Sequence, residues 1–384
     1  ARNSVGRPAE SVEREGSDHM DGDIVVGIDS HKDTHYAAVL TRGGRRLGAR
    51  QFGATAQGYN ELSEWVETFG TPASFGVECT GSYAAGLTRH LLERGMSVAE
   101  INTTNKHARA RRGKDDALDA EMAARHVLTG ADAIVPKSST GAVESIRMLL
   151  LTRESAVNAR TVALQQIQDV LITAPVALRE SITYKRGKGA VEACSRLRPD
   201  LSRLSDPEQA AKLTLRTLGR RASDLAEEIA VLERELDTLV TATAPTMRAA
   251  CGVGPVNGAQ LLVTAGQNIG RLHSEAAFAR LCGVAPVPAS SGKTTRMRLH
   301  RGGDRAANRA LYLITVCRLR YDQRTIDYMQ RRRGDGLSKK DVIRCLKRFV
   351  AREVFNDLVA DLAGCGSMSA EVDVPAARAP SGVR

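Results

Sequence analysis

The rhythm of apolar and polar positions changes twice along this chain of 384 residues. Residues 1–22 are polar and aperiodic and are expected to form a disordered tail. Three short runs read as strands follow, at 24–28, which is β-branched, and at 36–40 and 47–52, with Arg42-Gly43-Gly44-Arg45 as a hairpin signal between the last two. Leu62, Trp65, Val66 and Phe69 then adopt helical spacing, predicting a helix over 57–69. A strand over 73–77 ending at Glu78, a helix over 83–94, a strand over 97–101 and a helix over 116–128 complete the region. Three meandering strands followed by alternating helices and strands predict an α/β RNase H-like domain over 23–135. No G-x-G-x-x-G is present to support a dinucleotide-binding fold.

From 136 to 244 the pattern is purely helical. Val143, Ile146, Leu150, Val157, Leu164, Ile167 and Leu171 keep a spacing of threes and fours, interrupted by Arg153 and Arg160. After Pro175 and the Gly/Lys-rich stretch 185–189, the spacing returns at Leu215, Leu218, Ala222, Leu225, Ile229, Leu232, Leu236 and Leu239. Such a seam predicts a coiled-coil domain or two packed helices of a bundle, in either case a scaffold or dimerisation arm. A third, mainly α-helical domain is expected over 245–364. Its Gly252-Val253-Gly254 turn between apolar segments has the form of a helix-hairpin-helix, which turns backbone N–H groups toward a DNA phosphate. Ser338-Lys339-Lys340-Asp341 reads as a capping box opening a basic amphipathic helix to about Leu358. Residues 365–384, rich in Ala, Pro and Ser, read as a second unstructured tail.

Charge sharpens this picture. The chain carries 55 Lys+Arg against 44 Asp+Glu, and residues 286–350 alone hold 17 of the former and 5 of the latter. The whole excess lies in that segment, which points to a polyanionic partner. Lys293, Arg296, Arg298, Arg301, Arg305, Arg309, Lys339, Lys340, Arg344, Lys347 and Arg348 are its candidate nucleic-acid contacts. Aromatic residues make up only 4% of the chain, which disfavours single-strand binding by base stacking. No apolar run approaches the roughly 20 residues of a membrane span, and no signal peptide is evident, so an intracellular protein is expected. Seven scattered cysteines without a C-x-x-C pair argue against a disulfide framework or a zinc site. His31 and His35, four apart but on a turn and a strand, do not make a zinc pair either.

Four carboxylates stand where metal-dependent phosphodiester chemistry needs them. Asp29 ends the first predicted strand and Glu78 a later one, while Asp116 and Asp119 share one face of a helix start. Such a set is suited to two Mg²⁺ ions about 3.5–4 Å apart. Each acid alone has a structural reading as a cap or a strand end. Asp115, off the three-residue face, is expected to be a neighbour and not a ligand. Near the basic segment, Ser290-Ser291-Gly292-Lys293-Thr294 is not a phosphate loop, because Val287 stands where its first glycine belongs. It suits either a serine nucleophile activated by cationic surroundings or a turn serine in a DNA-contact loop.

GIDSHKDTH, VECTGSY, KDDALDA and LCGVAPVPASSGKT…HRGGDRAANRAL, in that order and split by the helical region, resemble the transposases of the insertion sequence 110 family over residues 23–362. The resemblance implies a RuvC-like domain, a coiled-coil domain and a C-terminal transposase domain in a bacterial, cytoplasmic protein that is nucleoid-associated when bound to DNA. By motif, Asp29, Glu78, Asp116 and Asp119 resemble the family's metal-binding acids, with Mg²⁺ expected and Mn²⁺ as a substitute. The nucleophilic serine falls on Ser291 counting from Pro286, and on Ser290 counting back from Gly303-Asp304, one residue being missing between those landmarks. Also implied are a covalent phosphoserine–DNA intermediate, a composite active site shared by two subunits of a dimer or tetramer, and a bridge RNA that pairs with donor and target DNA.

Overall fold

A computed structural model describes residues 23–101, 115–130, 134–183, 187–290, 297–300 and 302–363, and the chain divides into two compact units at Pro136/Lys137. Both expected tails lie outside the described residues.

In the first unit, β1 (Ile24–Ser30), β2 (Thr34–Thr41) and β3 (Arg46–Gly53) form the expected antiparallel meander. Helix α1 (Ala56–Glu67), β4 (Pro72–Glu78), α2 (Ala85–Glu93), β5 (Val98–Ile101) and α3 (Asp116–Thr129) follow. The strand order is β3-β2-β1-β4-β5, with β4 parallel to both β1 and β5. Central β1 is buried at every position, as a strand covered on both faces must be. On one face Ile24, Val26 and Ile28 pack with Leu62 and Val66 of α1 and Leu87 and Leu91 of α2. On the other, Ala38 and Leu40 pack with Ala120 and Ala124 of α3. This mixed sheet between helical layers is compatible with an RNase H-like fold.

Helix α3 lies directly on the sheet backbone because Gly27 and Gly76 leave room for it. They are register partners on β1 and β4. A Cβ on Gly27 would fall 1.9 Å from the Ala120 carbonyl oxygen and 2.3 Å from the Ala124 nitrogen, and one on Gly76 2.7 Å from the Ala123 oxygen. The contact sets both the depth and the register of α3, and so the position of its first turn. Asp115 caps that turn by accepting from the Ala117 N–H at 3.1 Å.

The second unit opens on the two long helices expected from the spacing, α4 (Gly141–Thr173) and α7 (Pro207–Thr243), with α5 (Val176–Ser181) and α6 (Gly187–Ser195) between them. They run antiparallel. Val143 and Ile146 at the start of α4 share a core with Leu236 and Val240 at the end of α7. Ala163, Ile167 and Leu171 at the other end of α4 share one with Leu215, Leu218 and Ala222. The arginines that interrupt the apolar spacing are cross-helix links: Arg153 pairs with Glu233 at 2.5 Å, and Arg160 donates to the Ala222 carbonyl at 3.3 Å. The helices therefore pair within one chain.

No packing boundary falls at 244/245. The core begun by Val143 and Leu236 continues through α8 (Pro245–Ala249), α9 (Pro255–Ala265), α10 (Glu275–Leu281), α11 (Arg305–Tyr321) and α13 (Lys339–Leu362). Helix α12 (Gln323–Gly334) joins the last two, and β6 (Pro286–Pro288) with β7 (Met297–Leu299) forms a small hairpin. The Gly-Val-Gly turn does separate two helices, although the first spans only five residues. Gly252 adopts a φ of +82° against the Ile314 carbonyl, and Arg318 donates to the Cys251 carbonyl at 2.8 Å, so one side of the turn is seated on α11. Ser338 caps α13 by accepting from the Asp341 N–H, as the capping box predicts. The six described cysteines are free thiols, and no helix among the described residues is long and apolar enough to cross a membrane.

Candidate active site

The sheet, its alternation and the capped start of α3 place the candidate acids of the first unit at one end of β1 and its neighbouring strand. Side chains two apart on a strand share a face. Gly27 and Gly76 both face α3, so Asp29 and Glu78, each two residues further on, lie on that same face at neighbouring strand ends. Asp116 and Asp119 occupy the first turn of α3 above them. Asp29 and Asp119 are buried, and Asp116 and Glu78 are half-exposed. Immediately after Glu78 the chain turns through Cys79, which holds a left-handed φ of +56° while its carbonyl accepts from the Ser82 and Ala84 N–H groups. A left-handed non-glycine residue is strained, and here it redirects the backbone just past a candidate ligand.

One member of the cluster was not foreseen. His31 Nε2 lies 3.4 Å from Asp29 Oδ2 and 3.3 Å from Asp116 Oδ2, and one atom from each of the three residues falls within 4.8 Å of the others. His35, four residues on, projects to the opposite face, where its fully buried ring stacks on Tyr59 at 5.7 Å. Burial raises the Asp29 carboxyl above its ordinary value. His31 counteracts that rise, and the negative charges of Asp119 and Asp116 add to it. Crowded carboxylates beside a lone imidazole call for a cation, and oxygen donors with one nitrogen fit a divalent metal.

In the second unit β6 and β7, which flank the serine segment in sequence, spring from two interlocking turns. A Cβ on Gly303 would sit 2.2 Å from the Gly283 nitrogen, so the two backbones touch. Asp304 N–H donates to the Leu281 carbonyl at 2.7 Å, and Asn308 Nδ2 donates to the carbonyls of Cys282 and Gly283, each at 3.0 Å. Asp304 also caps α11 and accepts from Thr264 Oγ1 at 2.7 Å. The Cys-Gly-Val-Ala-Pro and Gly-Gly-Asp motifs thus clasp each other and present the β6–β7 hairpin. Ser290 is exposed just past β6, while Ser291, Lys293, Arg296 and Arg301 lie outside the described residues.

Residues 26–174 match the DEDD transposase family of IS110 type, described as a transposase, and residues 245–330 match the family described as Transposase IS116/IS110/IS902. The two matches take in both the acid cluster and the serine hairpin. This chain belongs to the IS110 family of transposases. It is also similar to the insertion element IS900 uncharacterized 42 kDa protein of Mycobacterium paratuberculosis, with 23% identity over 370 residues, covering 85% of this chain and 93% of that protein. It is accordingly an enzyme that acts on DNA.

The candidate DNA contacts of this transposase divide by what they already hold. Arg298, Arg305, Arg309, Lys339 and Lys340 are exposed. Arg344, also exposed, pairs with Asp341 one turn earlier. Arg348 is bound to Glu275 at 3.1 Å. Lys347, expected to reach nucleic acid, is instead buried, and its ammonium donates to Asn308 Oδ1 at 2.8 Å. It braces the clasp under the serine hairpin. The sequence did contain the signal, because Lys347 falls on the same stripe as Val350, Ala351, Val354 and Leu358, which faces the core. Exposed Arg320, Arg324, Arg331 and Arg333, not singled out from the sequence, extend the basic surface. Arg331 lies over the Tyr328 ring at 5.5 Å.

Proposed function

We propose that this transposase cuts and rejoins DNA by a serine nucleophile, assisted by a divalent metal at the acid cluster and guided by a structured RNA. The observation that carries the reading is the cluster of Asp29, His31 and Asp116, with Asp119 close enough to act on Asp29 and Glu78 ending the neighbouring strand. These acids would hold Mg²⁺ or Mn²⁺, which, when bound, supplies positive charge to a scissile phosphate. Asp29 is fixed by its strand and Asp119 by burial, so their part is to keep negative charge in place without rearrangement. Asp116 and Glu78, half-exposed, are the two acids of the set that a phosphodiester can reach from solvent.

Ser291, or Ser290 beside it, attacks the phosphorus; one bridging sugar oxygen leaves as a hydroxyl, and a phosphoserine ester joins protein to DNA. Attack by the hydroxyl of another strand reverses the exchange and frees the serine. The Gly283–Gly303 clasp holds the hairpin that carries these serines, and Arg298, Arg305 and Arg309 supply positive charge to bind the phosphate and its developing charge. Two subunits, as a dimer or a larger oligomer, contribute to one composite site. Selection of donor and target by base pairing with a bridge RNA is in keeping with the scarcity of aromatic residues and a basic surface suited to backbone contact.

The test is strand exchange with element-end DNA, co-purified RNA and Mg²⁺, followed by denaturing gels and mass spectrometry. A serine-linked DNA adduct is expected, lost in the double variant Ser290→Ala, Ser291→Ala. Asp29→Asn is expected to lower cleavage by at least 10²–10³-fold, the order seen when one central electrostatic group is removed. Full recombination by the double serine variant would refute the nucleophile. Hydrolysed, unjoined ends without an adduct would mark a metal-dependent nuclease instead.

A further inference from the structure

The placement of His31 is specific. Its backbone N–H donates to the Thr34 carbonyl at 2.9 Å, closing the turn between β1 and β2, so the residue is anchored while its ring is free to face the acids. Ring atom Nε2 is buried and forms no hydrogen bond, although two carboxylate oxygens lie 3.3 and 3.4 Å away. A buried ring nitrogen this close to two carboxylate oxygens, yet hydrogen-bonded to neither, gains a partner once a cation stands among the three. The three donors are already within 4.8 Å of one another. His35 cannot substitute, since it lies buried against Tyr59 on the other face of the sheet.

We propose that His31 is a nitrogen ligand of the metal held by Asp29 and Asp116, and that it biases the site toward Mn²⁺ over Mg²⁺. The inference rests on reading the acids as a metal site. Mg²⁺ demands hard oxygen ligands in near-ideal octahedral geometry. First-row transition ions accept an imidazole readily, with affinity rising from Mn²⁺ through Fe²⁺ to Co²⁺. An all-oxygen site discriminates little on this basis, whereas one nitrogen at the end of β1 does. His31 is thus a specificity-determining residue, and its contribution is to the choice of ion.

The experiment is Mn²⁺ binding to the full-length protein, followed by calorimetry and by pulsed electron paramagnetic resonance, which detects ¹⁴N nuclei bonded to the metal. Wild type is expected to show a ¹⁴N coupling. His31→Ala and His31→Gln, shown to be folded by circular dichroism, are expected to lose it and to bind Mn²⁺ about tenfold more weakly, the lower end of the range for losing metal-supporting groups. Mg²⁺ affinity should change much less. Bound Mn²⁺ that Asp29→Asn removes but that shows no ¹⁴N coupling in wild type would overturn the role of His31 alone. Mn²⁺ binding that survives Asp29→Asn would overturn the acid site and the His31 inference together.

Discussion

The two units of this transposase handle charge in opposite ways. The first gathers carboxylates of one sign at the end of a buried sheet, against their mutual repulsion, and fixes them by backbone contact. The second spreads cations over helix surfaces and turns several of them back into the structure: Lys347 to Asn308, Arg348 to Glu275, Arg318 to Glu353 and the Cys251 carbonyl. A charge cluster built from strand ends is a strong sign of chemistry because the fold gains nothing from it. A basic helix is a weaker sign of DNA contact, since each cation has a nearby structural use.

The contrast can be tested, beginning with its largest effect. Gly27→Ala drives a methyl group into the Ala120 carbonyl, so α3 must lift off the sheet. A loss of about 3 kcal/mol or more is expected, at or beyond the upper end for overpacking, and should appear in denaturant unfolding together with lost metal binding. An unchanged midpoint would mean that the acids do not depend on this contact.

Next comes a pair in α13. Lys347→Ala should destabilise by about 1–3 kcal/mol, because the Asn308 oxygen is left inside without its donor. Lys340→Ala, on the exposed side, should leave stability unchanged and reduce the salt dependence of DNA binding by about one phosphate contact. Equal effects of the two on either measurement would erase the distinction between brace and contact.

The smallest effect is Asp357→Asn. Burial raises the Asp357 carboxyl above its ordinary value of 3.8, and Asp361 and Glu353, one turn to either side, push it further. A raised pKa in the folded state means that the folded chain holds its proton longer than the unfolded one. Stability therefore falls as pH rises through the raised value, and the penalty is fully present at neutral pH. Asp357→Asn should stabilise by about 0.5 kcal/mol at pH 7, the scale of like-charge pairs on a helix, and by nothing below pH 3.8. A gain that persists in acid would assign the effect to packing.

Much of the first unit was legible because its signals are local. The β-branched run at 24–28 marks β1, the Arg42-Gly43-Gly44-Arg45 turn marks the β2–β3 hairpin, and a spacing of three puts Asp116 and Asp119 on one turn. His31 was not, since its partner Asp116 is 85 positions away and only the seating of α3 on Gly27 joins them. Neighbouring His35 offered a false pairing at short range. In the second unit the long helices were readable from their spacing, but their antiparallel pairing is set by contacts between opposite ends. The packing across 244/245 was not legible for a related reason: the apolar face of α7 runs on into the core of the helices that follow.

The contact between Gly283 and Gly303 bears on the serine segment in one more way. A loop whose two feet touch can lose or gain a residue without moving either foot, and loop closure responds only weakly to such a change in length. A change in the number of residues between Pro286 and Gly303 is therefore expected to fall on the loop and not on its base. The base formed by Gly283, Gly303, Asp304 and Asn308 is thus a fixed hinge-plate, set on the helices beneath and indifferent to the length of what it carries.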